Sequence, residues 1–228
     1  MLKIPNKPIL VSALLIANAF FISSCKKEEP VDLRIKTLSK DEISVQLEVA
    51  KKSISPQLKE GLKLEVWAVD SLVKDPIGLQ VNDKGEVLYT RSPRRFNSEF
   101  DIRGHQSWEI RSIAIQTIEE KRAFLRSELS PERSAENTWL DDLNGDGSHD
   151  WRDMTIEKNE VHKLKDTDGD GLADWSQIQV QDFNEEVTDI AGGLLETDDA
   201  LFVAAGPDLW RLVDTNEDGI MDEKTSLS

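Results

Sequence analysis

The longest apolar stretch is a run of 14 mostly apolar residues, Ile9 to Ile22. After it they come in short stretches that alternate with polar ones, the period-two pattern of half-buried strands. Ile43, Val45, Leu47 and Val49 make one such stretch, and Leu62, Leu64, Val66 and Ala68 a second. Each predicts a strand. Ile77, Leu79 and Val81, the turn Asn82-Asp83-Lys84-Gly85, and Val87-Leu88-Tyr89 together predict a β-hairpin. The middle of the chain changes period. Thr117 and Glu120 have the spacing of a capping box ahead of Ile118, Phe124, Leu125 and Leu129, which predicts a helix over 118–129. Ser130-Pro131 stops it and starts a second helix that ends near Trp139, since Ser suits the N-cap and Pro the first helical position. Residues 92–140 thus read as a helical insertion. Beyond 155 strands return at Trp175–Val180, Val187–Leu195, Leu201–Ala204 and Leu209–Val213, with Gly192-Gly193, Asp198-Asp199 and Gly206-Pro207 supplying turns or bulges.

The first apolar run belongs to an address rather than a domain. Lys3 and Lys7 precede it and Ser23-Ser24-Cys25 follow it. A helix of that length reaches only about 21 Å, short of a roughly 30 Å hydrocarbon core, so residues 1–25 read as a cleaved secretory signal. Its ending resembles the lipobox of bacterial lipoproteins, which makes Cys25 the lipidated first residue of the mature chain. The expected location is the cell envelope, on a membrane through that lipid. Residues 26–60 then form a tether and an N-terminal strand region. Cys25 is the single cysteine, which excludes an internal disulfide, a CxxC zinc site and a CxxCH haem site.

Charge alters the picture further along. The net charge of −16 is unevenly spread, +3 over residues 1–131 and −19 over 132–228. Such a surface repels phosphate backbones and excludes nucleic acid as a partner, and it attracts cations. Three segments of the acidic half share the pattern D-x-[DN]-x-D-G-x-x-D. They are Asp142, Asn144, Asp146 and Asp150; Asp166, Asp168, Asp170 and Asp174; and Asp214, Asn216, Asp218 and Asp222. Calcium takes six to eight oxygen ligands. Side chains at positions 1, 3 and 5 of a tight loop converge on one point, Gly at 6 permits the bend, and position 9 adds a carboxylate directly or through water. Position 12, the bidentate Glu of an EF-hand, is Asp153, Gln177 and Thr225, so these are not complete EF-hands. The reading is a set of calcium loops, Asp153 included among the ligands; the alternative is an acidic turn kept soluble by its charge.

The second and third loops belong to a longer repeat. Leu164 and Leu212, Asp166 and Asp214, Gly171 and Gly219 are each 48 residues apart with about four strand candidates between them, the signature of a β-propeller blade. The expected fold is mainly β. It comprises about two blades of an incomplete propeller, with a first hairpin unit at 61–91, a helical insertion with the first acidic loop at 92–155, and a blade repeat at 156–228. Gly61-Leu-Lys-Leu-Glu-Val-Trp67, the hairpin at 76–91, the stretch Trp139 to Trp151 and Pro207-Asp-Leu-Trp-Arg-Leu-Val-Asp214 resemble the start of the membrane-bound dehydrogenase family. Its propeller is similar to the sorbosone and glucose dehydrogenase type. The resemblance implies oxidation of a sugar-type alcohol or aldehyde by a longer protein, with further blades or a cytochrome as partner and a quinone of the PQQ type or haem c as cofactor. By itself this chain is then expected to be inactive. The contrasting reading is a non-catalytic surface module that binds polysaccharide or a partner protein.

Histidines and tryptophans offer the remaining chemistry. His149 lies within an acidic loop and His162 in a strand leading to one, so both read as structural, and His105, near Arg94, Arg95 and Arg103, is the one weak candidate for a catalytic base. Trp67, Trp175 and Trp210 fall in or beside predicted strands and read as core. Trp108, Trp139 and Trp151 flank loops and are candidates for a sugar-stacking platform.

Overall fold

Residues 34–95 and 98–227 are described by a computed structural model. Strands dominate, in two antiparallel sheets. The first has five strands in the order β1-β5-β4-β3-β2: β1 (Ile35–Thr37), β2 (Leu79–Val81), β3 (Val87–Arg91), β4 (Asn159–Lys165) and β5 (Trp175–Asp182). The second is a four-stranded meander of β6 (Ala191–Glu196), β7 (Leu201–Ala205), β8 (Asp208–Val213) and β9 (Glu223–Ser226). Neither sheet closes on itself, so the mainly β expectation holds at this level. The signal sequence and Cys25 lie outside the described residues, among which no helix is long and apolar enough to cross a membrane.

The sheets stack through alternate residues. Leu88, Val161 and Val180 of the first meet Leu201, Val203 and Leu212 of the second, all buried. Each such side chain contributes about 1.5–3 kcal/mol when fully buried. Where the sheets come closest, Thr90 Oγ1 accepts from the Gly78 amide at 2.9 Å and donates to the Gly192 carbonyl at 3.2 Å. A Cβ on Gly78 would collide with that carbonyl, so the approach requires glycine. On its other face the first sheet packs Val87, Tyr89 and Leu164 against Leu72, Trp67 and Val73.

Two predicted strands are not strands. Residues 40–53 form helix α1 (Lys40–Ser53), closed by a capping box in which Ser39 accepts from the Glu42 amide and Glu42 reaches back to Ser39. The apparent alternation conceals a helical face: Ile43 is buried and Gln46, Leu47 and Ala50 are half-buried, whereas Val45 and Val49 are exposed. Spacings of 3, 4 and 7 from Ile43 satisfy a 3.6 period as well as Leu47 satisfies a period of two. The stretch 61–68 has no sheet neighbour and runs as irregular chain, with Leu62 and Leu64 exposed and Trp67 tied through its carbonyl to the Ala173 amide at 2.8 Å. The hairpin at 77–91 forms as expected. Strand β6 begins at Ala191, later than the predicted Val187, because residues 183–190 are held by polar contacts.

Between β3 and β4 the insertion carries α2 (Glu109–Ile113), α3 (Ile118–Glu128) and several 3-10 turns. The Thr117/Glu120 capping box is present as expected, and Pro131 opens a 3-10 helix over Pro131–Glu136 rather than an α-helix. The insertion has its own core of Trp108, Leu129, Leu140 and Met154.

Candidate functional site

The three acidic segments fold into near-identical loops. In each, both oxygens of the position-1 carboxylate accept backbone amides of the following turn: Asp142 from Gly145 and Gly147, Asp166 from Gly169 and Gly171, and Asp214 from Asp218 and Gly219, at 2.7–3.3 Å. The position-5 carboxylates of Asp146, Asp170 and Asp218 accept the amide two residues on. Position 6 is glycine with φ between 84° and 90°. Position 4 is also left-handed, filled by Gly145 and Gly169 but by Glu217 at φ 62° in the third loop. The second and third loops join β4 to β5 and β8 to β9, the last turn of each four-stranded run.

Positions 9 and 12 serve the loop itself. Thr167 donates through its amide and its hydroxyl to Asp174 at 2.9 and 2.6 Å, and Thr215 does the same to Asp222. In the first loop position 2 is Leu143, which has no hydroxyl. There the buried Asp153 closes the turn by accepting the amides of Leu143, Asn144 and Asp150, and Asp150 pairs with Arg152 at 2.6 Å. The Arg152 guanidinium holds the Asp150 carboxyl down at about 2.

The loops differ most in how their charge is balanced. Arg152 also reaches Asp146 at 3.0 Å, so the first loop carries its own cation. In the second, Lys40 of α1 lies 2.8 Å from Asp168 and 3.3 Å from Asp170, and these carboxylates hold its ammonium above its ordinary value. In the second loop Asp166, Asp168 and Asp170 each bring a carboxylate oxygen to within 4.8 Å of the others. A convergent, largely exposed set of hard oxygens fits a hard divalent cation. Asn144 and Asn216 in the other loops offer one charge fewer.

His105 sits among aromatic rings, stacked on Trp108 at 4.3 Å and tilted against Trp139 at 4.4 Å. Burial pushes its imidazole below the ordinary value. His149 is structural, with Nδ1 2.6 Å from the Leu140 carbonyl oxygen. His162 stacks on Tyr89 at 4.8 Å and bonds Glu160 at 2.9 Å. Burial alone would raise the Glu160 carboxyl, but the bonds from His162, Arg91 and Gln181 outweigh it and hold the group at about 2. Trp175 and Trp210 lie in β5 and β8 and Trp67 packs against the first sheet, all partly buried. Trp151 lies under the Arg126 guanidinium, and Trp139 stays exposed.

Arg94, which the sequence offers only as a neighbour of His105, has a different role. Arg94 is buried, and its two terminal nitrogens donate to the carbonyls of Phe183, Thr188, Met154 and Glu185 at 2.9–3.3 Å. Asn159 joins the same junction by donating to Phe183 and Asp189 and accepting from Ala191. Nothing in the local pattern marks Arg94 as interior, because its acceptors lie 60 to 94 residues away.

Fold and loops together define a mainly β protein of two stacked antiparallel sheets with acidic D-x-[DN]-x-D-G turns at equivalent strand connections. The chain matches the family described as Domain of unknown function (DUF7133) over residues 48–228, and it belongs to that family. No curated protein and no solved structure matches it.

Proposed function

We propose that the chain is a calcium-binding lipoprotein of the cell envelope, anchored through Cys25, and the N-terminal portion of a dehydrogenase-like β-propeller. The observation that carries the calcium reading is the convergence of Asp166, Asp168 and Asp170 at a strand turn, repeated with the same backbone bonding at the equivalent turn of the next sheet. Calcium supplies charge neutralisation there, and carboxylates that otherwise repel one another become a rigid joint between strands. Lys40 is the competing cation at this loop. The propeller reading is supported by two consecutive four-stranded antiparallel runs, β2–β5 and β6–β9, stacked face to face with the acidic turn at the same place in each.

Oxidation of a sugar-type alcohol or aldehyde belongs, in this reading, to a longer protein. His105 is held by rings rather than oriented by a carboxylate, so no base is assigned to it. A melting curve with added calcium and then with chelator tests the metal. Excess calcium at about a hundredfold over Kd stabilises one site by about 2.7 kcal/mol, and Asp168→Ala removes the second loop's share. Identical melts in calcium and chelator would sink the assignment. Dye-linked oxidation of aldoses by the longer protein, in calcium and quinone, tests the activity, and a mass measurement on the mature chain and on Cys25→Ser tests the anchor.

A further inference from the structure

The insertion carries an open cleft of about 460 Å³ whose lining includes His105, Ser107, Trp108, Arg133, Glu136 and Trp139. It shares no residue with the acidic loops and does not depend on their metal. Its aromatic part is unusual for a surface. Trp108 is buried and His105 stacks on it, while Trp139 leans against both rings and remains 42% exposed. An exposed indole backed by two further rings is a fixed apolar plate with a negative face. Burying it against another chain segment would normally be favourable, yet among the described residues it stays open.

The polar rim is charged but balanced. Of the lining, Arg133 and Glu136 end a chain of ion pairs, Arg111–Glu128–Arg133–Glu136, that alternates in sign at 2.5–2.9 Å. Arg133 donates twice to Oε2 of Glu136, which leaves Oε1 with acceptor capacity. The imidazole of His105 is pushed towards its neutral form by burial. The cleft's own charges therefore cancel locally even in a chain of net charge −16, and its rim offers no single-sign site for an ionic ligand. A flat apolar surface edged by a carboxylate, a hydroxyl and a guanidinium suits a ligand with one apolar face and a periphery of hydroxyl groups. A neutral pyranose ring has that form: its axial C–H bonds, weakly positive, lie on the indole while equatorial hydroxyls reach the rim.

We propose that the Trp139 cleft, formed by His105, Trp108 and Trp139 with Glu136 and Arg133 at its edge, binds a neutral hexopyranose or pentopyranose unit of a glycan. The test titrates the full chain with cellohexaose, xylohexaose, laminarihexaose and mannohexaose, reading tryptophan fluorescence and heat. At least one of the four saturates, Trp139→Ala weakens it by about tenfold or more, and Trp139→Phe keeps most of the affinity. Trp139→Ala is expected to fold, because the residue lies at the surface, and equal melting of the variant confirms it. Failure of all four to saturate by about 10 mM, the weak end of measurable affinity, overturns the proposal. So does undiminished binding by Trp139→Ala, or binding of an oligogalacturonate in place of the neutral sugars. Calcium and chelator leave the binding unchanged, which separates this outcome from that of the metal assignment.

Discussion

The two four-stranded runs follow the same path and differ in what interrupts them. In β6–β9 every connection before the acidic loop is short, and the sheet is held by its own ladder and by apolar contact with its neighbour. In β2–β5 the chain leaves after Arg91, builds a helical body with a separate core, and returns at Asn159. The excursion demands polar fastening. Arg94 at its start and Asn159 at its end gather the carbonyls of the 183–189 segment, which is the link between the two sheets. An insertion of this kind is therefore not a passive appendage: its two ends are the bolts of the sheet junction. The acidic loops show the same contrast, since the loop in β2–β5 is balanced by Lys40, whereas among the described residues no ion pair balances Asp214 or Asp218.

Arg94 is where this comparison is most easily broken. Arg94→Met removes a donor from the buried carbonyls of Phe183 and Met154 and from the part-buried ones of Thr188 and Glu185. Phe183 keeps Asn159, and each buried loss costs about 1–3 kcal/mol. A destabilisation of about 3 kcal/mol or more is expected, read as a fall in denaturant midpoint. Fast hydrogen exchange should appear first in the insertion and at 183–190, with β7 and β8 protected longest. Uniform loss of protection would instead mean that the two runs form one cooperative unit. Next in size is Glu160 of β4, buried and held at about 2 against an ordinary 4.5. A depressed carboxyl stabilises the fold above its unfolded value and loses that contribution as pH falls through its folded value. Stability worth roughly 3 kcal/mol should thus disappear between about pH 4.5 and 2, and Glu160→Gln should flatten that part of the melting profile.

The loops separate the runs more finely. Asp168→Asn should reduce the calcium-dependent rise in melting temperature more than Asp218→Asn does, because the second loop starts with three carboxylates at positions 1, 3 and 5 and the third with two. Equal losses would show that charge count does not rank the loops. The smallest effect concerns Glu217, which takes the left-handed position filled by glycine in the other two loops. Glu217→Gly should stabilise by about 0.5–1 kcal/mol, which is roughly 1–4 °C in a chain of this size. No gain would indicate that the glutamate makes compensating contacts.

Much was legible where local rules act alone. The hairpin at 77–91, the capping box at Thr117 and the repeated acidic turns were readable because a turn, a cap or a loop is decided by residues within a few positions of one another. The capping box at Ser39 and Glu42 is equally local, yet the alternation from Ile43 to Val49 matches a period of two that the helix does not have. Four apolar residues in seven positions fit both, and only contact with the rest of the molecule shows which face is inside. The segment 61–68 failed for the opposite reason, since alternation supplies a face but not a partner strand.

Apolar alternation sets the mainly β class of the fold, and the short-range stereochemistry of Asp, Asn and Gly sets the position of each acidic loop and the bonding within it. Long-range packing sets which cation attends the second loop, that Arg94 is interior and that Trp139 is exposed beside His105 and Trp108. Those outcomes depend on groups brought together from distant parts of the chain. The free energy of burying a charge or exposing a ring is fixed by what surrounds it, not by its neighbours in sequence.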